Sequence, residues 1–406
     1  MSKVNQTFLT AIDVGSAKTC ALVAEVTDAG LKYLGHGICE SRGSRKGVII
    51  DLEKAVASVQ KAVEQAEDLA GAPVERAVIG IAGAHIRGLN SQGGITFGAR
   101  AREISREDIR ASVDRARAMA LPPDRQILHL LPQEFILDEQ SGVQDPLGMM
   151  ATKLEARVHI VTASSSATQN VVTAVNKGGV QVDDTIFEAL ADADAVLRSD
   201  ERELGVCLVD IGAGSTDLII IEEGAVVHTA CIPIGGDHFT NDVAVGLRTP
   251  LQDAEKIKKS FGNAIVTRIP ETNEIEVPSV GDRPSRLMPQ RQLGEILEPR
   301  ARELFEIMRD HLRQSGVFDL LNAGFVLTGG GAKLNGMLEM AEQVLRKPIR
   351  YGLPMPISKI PAALVDAEYT TVIGSVLYAY RARQLRPMND NGLASRLKAI
   401  FARRDA

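Results

Sequence analysis

The chain has 406 residues and is 45% hydrophobic and 24% charged, a balance that builds packed cores and excludes disordered, collagen-like and disulfide-stapled chains. Its 46 basic against 52 acidic residues leave a net charge of −6, which argues against nucleic acid as a partner held through a generally basic surface. Cys20, Cys39, Cys207 and Cys231 lie far apart with no C-x-x-C pair, which argues against a structural zinc and fits a reducing compartment.

In chain order, the N-terminus has one lysine and an apolar run broken by Asp13, too short for a secretory signal. Apolar runs such as 218–221 fall far below the roughly 20 residues of a membrane span, so the bulk of the chain is expected to be soluble and cytoplasmic. Residues 8–12 form a strand entering the turn Asp13-Val14-Gly15-Ser16-Ala17-Lys18-Thr19, and 20–26 leave it as a second strand, together a hairpin. Helical spacing over 52–69 ends before Gly71-Ala72-Pro73. Residues 84–162, rich in Arg, Gln and Gly, interrupt this plan with strands of their own. Within them Ser105 and Asp108 form a capping box that opens a helix to about Met119, stopped by Pro122-Pro123. Ser164-Ser165-Ser166 lacks a G-x-S-x-G elbow and reads as a polar turn before a helix.

Residues 205–209 enter Asp210-Ile211-Gly212-Ala213-Gly214-Ser215-Thr216, and 217–222 leave it. Both turns match D-[VI]-G-x-x-x-T at an offset of 197 residues, which predicts a duplicated domain, since solenoid repeats have periods of about 20–50 residues. A charged helix is expected over 252–261, a loop-rich surface excursion over 263–289, and a long helix over 293–312. A strand over 324–328 crosses Gly329-Gly330-Gly331 into a helix over 333–345. The alternation of strands and helices predicts an α/β architecture.

A glycine hairpin turn bares backbone N–H groups that can wrap a phosphate, and Ser16, Thr19, Ser215 and Thr216 add hydroxyls. Asp13 and Asp210, at strand ends, are candidates to hold a hydrated Mg2+ between phosphates. The triple glycine would let backbone approach the α-phosphate and ribose, with a helix N-terminus favouring negative charge. One D-x-G-x-x-x-T is usually only a hairpin; two copies followed by the triple-glycine turn point to nucleotide. The seven histidines form no H-x-x-x-H or H-x-E pattern, which leaves little for a zinc enzyme.

These residues resemble the actin-like ATPase superfamily along nearly the whole chain. Asp13–Thr19 is similar to its first phosphate motif, 210–217 to its second and 326–333, with Lys333, to its adenosine motif. Residues 187–191 and 371–378 look like its two connecting segments. The resemblance implies that Gly235 and Gly236 join the nucleotide site, and that Glu255, Lys258 and Lys259 pack around adenosine; read alone, 254–259 is equally an ordinary solvated helix. It implies Glu188 as the residue positioning water at the γ-phosphate, against the plain reading of a helix start, with ATPase activity slow or absent and ATP acting as a conformational ligand.

Within the superfamily the strings GSRKGVI (43–49), GMMATKLEARVHI (148–160), IGGD (234–237) and VLTGG (326–330) are similar to the bacterial FtsA cell-division family. That resemblance implies a two-lobed, duplicated ribonuclease-H-like fold with an FtsA-type inserted subdomain and a C-terminal amphipathic helix. The expected divisions are 1–83 with 163–195 and 371–386 as the first core subdomain, and 84–162 as the insertion. The second core subdomain would be 196–226 with 301–370, and the smaller one 227–300. A linker over 387–392 and a helix over 393–406 would close the chain. It further implies ATP and Mg2+ as cofactors, and self-association into an actin-like filament. The implied partners are the tail of the tubulin-like polymer FtsZ, received at Arg286, Arg300 and Glu303, and later membrane proteins of the division machinery.

The last segment carries its own signal. At about 100° per residue, Leu393, Leu397, Ile400 and Phe401 fall in one arc, flanked by Arg396, Lys398 and Arg403, with Arg404 placed to snorkel. Four basic residues against Asp405 reverse the sign of the whole chain, which fits an anionic inner-membrane surface; docking on the protein's own body is the alternative. Four apolar side chains at ~1.5–3 kcal/mol each, less the ordering of about a dozen residues, give marginal binding that avidity on a polymer would multiply. A sugar kinase of the same superfamily, and a pilus-assembly or cell-shape homologue, are the alternatives to the FtsA reading; the kinase has no use for such a tail, and the homologues resemble the core but not the 148–160 string followed by this tail.

Overall fold

The computed structural model describes residues 8–281 and 283–385. The linker and helix expected over 387–406 lie outside them. Two five-stranded sheets are built on one plan. In the first, Phe8–Val14 pairs antiparallel with Lys18–Thr27, which pairs with Gly30–Glu40, while Arg76–Ile81 and then Gln181–Phe187 add in parallel. In the second, Val206–Ile211 pairs antiparallel with Thr216–Glu222, which pairs with Ala225–Ile232, while Gly324–Thr328 and Ile349–Tyr351 add in parallel. The central strands are buried on both faces, which is why they read as apolar runs such as 206–209.

Helices cover the sheets. Leu52–Ala70 starts at Asp51, whose Oδ1 accepts from Lys54 N at 3.2 Å, and ends at Gly71 in the left-handed region. Ser164 ends strand Lys153–Ser164 and caps helix Ser165–Lys177, which already holds Ser165 and Ser166, so strand passes straight into helix without the polar turn expected there. Glu188–Val196 and Thr370–Leu385 cross between the lobes. Residues 189–196 are all buried, and any side chain at Gly374 would overlap the Ala191 carbonyl, so the two helices meet backbone to backbone. Among the described residues no helix is long and apolar enough to cross a membrane.

Between the first sheet's strands the chain builds an antiparallel sheet ordered Gln140–Val143, Arg125–Leu137, Lys153–Ser164, Arg87–Thr96. Helix Arg106–Arg117 lies on it, opened by the Ser105–Asp108 capping box, and Phe135, Leu154 and Val158 fill a separate core. Beyond the second hairpin come helices Gly236–Leu247 and Leu251–Phe261, a two-stranded ribbon of Glu274–Val277 and Arg286–Pro289, and helix Gln290–Gln314.

The structure corrects three further expectations. The 263–289 stretch is more than a surface excursion: its Glu-Ile-Glu-Val alternation buries Ile275 and Val277 in the lobe core. The boundaries drawn at 226/227 and 300/301 fall inside strand Ala225–Ile232 and helix Gln290–Gln314. The triple glycine does not open a helix directly. A 3-10 turn, Gly330–Lys333, follows it, and helix Met337–Leu345 begins only after Gly336 at φ +82°.

Candidate functional site

The two hairpin turns and the triple-glycine turn converge on one cleft of about 460 Å³, a volume suited to a small organic ligand. Gly15, Ser16 and Lys18 line it from the first lobe; Gly212, Gly214 and Ser215, then Gly329, Gly330, Gly331 and Lys333, line it from the second. Gly236, Glu255, Lys258 and Lys259 form its far wall, and Asp13, Asp210 and Glu188 its floor. Gly329 sits at φ +85°, where a side chain would collide with the Asp210 carboxylate, so only glycine lets these strand ends meet.

Three expected residues stand back from the cleft. Thr19 is fully buried and shares a 2.7 Å hydrogen bond with Ser41. Thr216 is fully buried and donates to the Ile234 carbonyl at 2.8 Å. The pleat explains both: Lys18 and Ser215 face the cleft, so their strand neighbours face away. Gly235 also lies behind the lining, its α-carbon side packed 2.6 Å (as an added Cβ) from the Ala213 carbonyl. The sequence reading missed Gly47, Gly80, Asp217, Asp237, Glu368 and Thr371, all of which line the cleft. Asp217 ends the second motif and could have been flagged; Ser16 Oγ accepts from Gly47 N at 3.2 Å, a contact between distant segments.

Electrostatics single out the floor. Seven carboxylates line the cleft against four lysines. Burial, opposed by Lys18, pushes Asp13 up to about 6; burial and the neighbouring Asp217 push Asp210 up to about 7. Burial takes Asp217 to about 6, and Glu188 is driven well above the carboxylate range by burial, then by Asp13, Asp217 and Asp210. Among the described residues Asp13 Oδ1 is buried without a hydrogen-bond partner, and no three His, Cys, Asp or Glu side chains stand close enough to cage a metal. A hard divalent cation fits such a place as a hydrated ion, held through water and ligand oxygens.

Every lysine of the cleft is paired. Lys258 Nζ meets Glu255 at 2.6 Å, Thr240 Oγ1 at 2.8 Å and the Gly236 carbonyl at 3.0 Å, while Lys259 meets Glu255 at 3.1 Å. Glu255 also accepts from Thr240. Lys18 meets Glu368 at 3.0 Å, and Lys333 meets Asp366 at 2.9 Å and Glu368 at 3.2 Å. The first amides of helix Gly236–Leu247 are spent on the second turn, Gly236 N donating to Gly212 O at 2.9 Å and Asp237 N to Ala213 O at 2.8 Å. That helix therefore ties the phosphate-side turn to the wall bearing Lys258.

Of the expected partner surface, Arg300 is held by Asp242, with Nε at 2.6 Å, and by Glu303. Arg286 donates to the Leu247 carbonyl and approaches Met288 Sδ at 3.3 Å. Both are half-buried on one face, formed by helices Gly236–Leu247 and Gln290–Gln314 with the ribbon. The expected membrane residues, Leu393 to Arg404, lie outside the described residues.

Comparison with known proteins agrees with this geometry. The family model "Cell division protein FtsA" matches residues 207–374, and "SHS2 domain inserted in FTSA" matches 83–162. Cell division protein FtsA of Pseudomonas aeruginosa is 46% identical over 368 residues, 90% of this chain and 88% of the relative. That of Borreliella burgdorferi is 36% identical over 98% of this chain and 99% of its own length, and that of Escherichia coli K12 37% over 90% and 89%. Among solved structures, the PilM-PilN type IV pilus biogenesis complex matches at TM-score 0.65 and 14% identity, covering 93% of this chain and 99% of that one. MreB5 of Spiroplasma citri bound to ADP matches at 0.55 and 14%, covering 95% and 99%. These distant likenesses establish the actin-like fold.

Proposed function

The chain belongs to the FtsA cell-division family, and from that premise we propose that it binds ATP with Mg2+ in the interlobe cleft and links FtsZ polymers to the cytoplasmic face of the inner membrane. The observation that carries the nucleotide reading is the convergence of three glycine turns, from both halves of a duplicated fold, on one cleft with a proton-holding acidic floor. Gly15, Ser16, Lys18, Gly212, Gly214 and Ser215 would clamp phosphates, and Gly329–Gly331 with Glu255, Lys258, Lys259 and Lys333 would hold the nucleoside end. Asp13 and Asp210 would hold the hydrated Mg2+, which supplies charge neutralisation between phosphates.

Glu188 would orient a water. Burial, then Asp13, Asp217 and Asp210, raise the hold of its carboxyl on a proton, which supports ATP as a conformational ligand with slow or absent hydrolysis. Closure of the lobes about the crossing helices would then govern assembly into an actin-like filament. The FtsZ tail would dock on the face carrying Arg286, Arg300 and Glu303, the 393–406 helix would hold anionic lipid, and later division proteins would be recruited at the septum. The subdomain division expected from the sequence, with 84–162 as the insertion, belongs to the same proposal, apart from the boundaries at 226/227 and 300/301.

The test is co-sedimentation of purified protein with anionic vesicles, with and without residues 392–406 and with and without ATP. Truncation, or Phe401→Glu, should abolish pelleting, since the substitution removes the largest apolar contact and puts a charge in the buried arc; Arg403→Glu should weaken it modestly and less so in high salt. Undiminished pelleting of both the truncated chain and Phe401→Glu would place the anchor elsewhere.

A further inference from the structure

We propose that Glu368 is an internal competitor for the phosphate end of the cleft: its carboxylate, resting also on Lys333 toward the nucleoside end, holds Lys18 in an ion pair that an incoming polyphosphate must displace, and so sets the affinity for nucleotide. The inference rests on the nucleotide reading of the cleft. Glu368 sits in the single turn Ala367–Tyr369, where the chain passes from the second lobe back into the interlobe helix Thr370–Leu385. Asp366 Oδ1 accepts from Glu368 N at 3.1 Å and fixes that turn, so the Glu368 side chain enters the cleft facing Gly330.

Its two oxygens serve two lobes. Oε2 takes Lys18 from the first glycine turn at 3.0 Å, and Oε1 takes Lys333, beyond the third glycine turn, at 3.2 Å. The grip is unequal. Lys333 also has Asp366 at 2.9 Å, whereas Lys18 has besides Glu368 the Tyr369 ring, 3.9 Å from Nζ to its centroid. Lys18 is therefore the cation that removal of Glu368 releases, and it stands beside Gly15 and Ser16, where phosphate oxygens would lie. With side-chain exposures of 20% for Lys18 and 34% for Glu368, the pair is neither fully hydrated nor deeply locked, a state that another anion can replace. A carboxylate and a phosphate oxygen ask the same of an ammonium group, so the two compete for one donor.

The experiment compares wild type, Glu368→Gln and Glu368→Asp by calorimetric titration with Mg2+–ATP, inorganic tripolyphosphate and adenosine at low and high salt. Glutamine keeps shape and removes charge. It should tighten ATP and tripolyphosphate about fivefold at low salt, leave adenosine unchanged, and lose most of the gain in high salt. Aspartate, too short to span both lysines, should give a smaller gain, and it carries the test if the glutamine variant fails to fold. Lys18→Met should weaken tripolyphosphate binding and cancel the gain in the double variant. Unchanged or weaker tripolyphosphate binding in Glu368→Gln, with adenosine binding and melting temperature retained, would mean that Glu368 props Lys18 for the ligand and would overturn the competitor alone. A wild type that binds neither ATP nor tripolyphosphate would bring down the nucleotide reading and this inference with it.

Discussion

Lowering the pH from 8 to 6 should weaken the binding of Mg2+–ATP by about twentyfold. Burial in the cleft holds Asp13 at about 6 and Asp210 at about 7, and a hydrated cation held by the two needs both ionised. At pH 8 nearly all of Asp13 and about nine-tenths of Asp210 are charged; at pH 6 these fall to about half and about one-tenth, and the product drops about twentyfold. Between one and two protons should leave per complex at pH 6. The sign carries over to stability. Both groups bind protons more tightly folded than unfolded, so the protein is most stable well below pH 4 on their account. It loses that contribution, of order several kcal/mol, as pH rises through about 7. Mg2+ with ATP should restore it.

The assay is calorimetric titration across pH 6–8 in two buffers of different ionisation enthalpy, whose difference counts the protons released. Asp210→Asn, which removes the group of higher pKa, should leave only about a twofold change from Asp13 over the same range. Adenosine alone should bind without pH dependence, since it touches neither carboxylate. An affinity flat between pH 6 and 8, or one equally steep in Asp210→Asn, would refute the assignment of these two aspartates to the cation.

Two further outcomes follow from the same geometry. Gly330→Val should abolish ATP binding while shifting the melting temperature by no more than about 3 °C, because an added Cβ there meets nothing nearer than Glu368 Cβ at 3.8 Å and its branches point into the cleft; equilibrium titration and a thermal melt check both halves, and retained affinity would remove this turn from the site. Arg300→Glu sets a third carboxylate beside Asp242 and Glu303, so it should lower stability by about 1–2 kcal/mol as well as weaken an FtsZ tail peptide at least tenfold at low salt. Arg286→Glu should weaken the peptide too, and peptide binding unchanged in both variants would mean that the wrong face has been chosen.

What could be read from the sequence is what short stretches encode by themselves. The two D-[VI]-G-x-x-x-T turns specify hairpins locally, and their repetition at 197 residues is the duplication seen in the twin sheets. The capping box at Ser105 and Asp108, and the helix that Ser164 caps, likewise depend on neighbours three residues apart. Helix Gly236–Leu247 escaped because its glycine pair opens the element, where glycine ordinarily signals a turn; the carbonyls of Gly212 and Ala213, some two dozen residues upstream, anchor its first amides. The reversed mistake was made at Gly329-Gly330-Gly331, where a helix was expected at once and Gly336 delays it to Met337.

The site was legible as backbone and illegible as charge. Glycines, and the aspartates beside them, sit in motifs whose spacing reveals them. The choice between Thr19 and Lys18, or Thr216 and Ser215, depends on which face of a pleat looks into the cleft, and a turn motif alone does not say. Pairing is further still from the local pattern: Lys18 and Glu368 stand 350 residues apart in the chain and 3.0 Å apart in space. A lysine in a glycine turn reads as a free phosphate ligand; in the folded molecule it is already occupied by a carboxylate that the fold delivers from its last interlobe crossing. Affinity for a polyanion in such a cleft is therefore a difference between two ion pairs, and the second of them becomes visible only when the lobes are brought together.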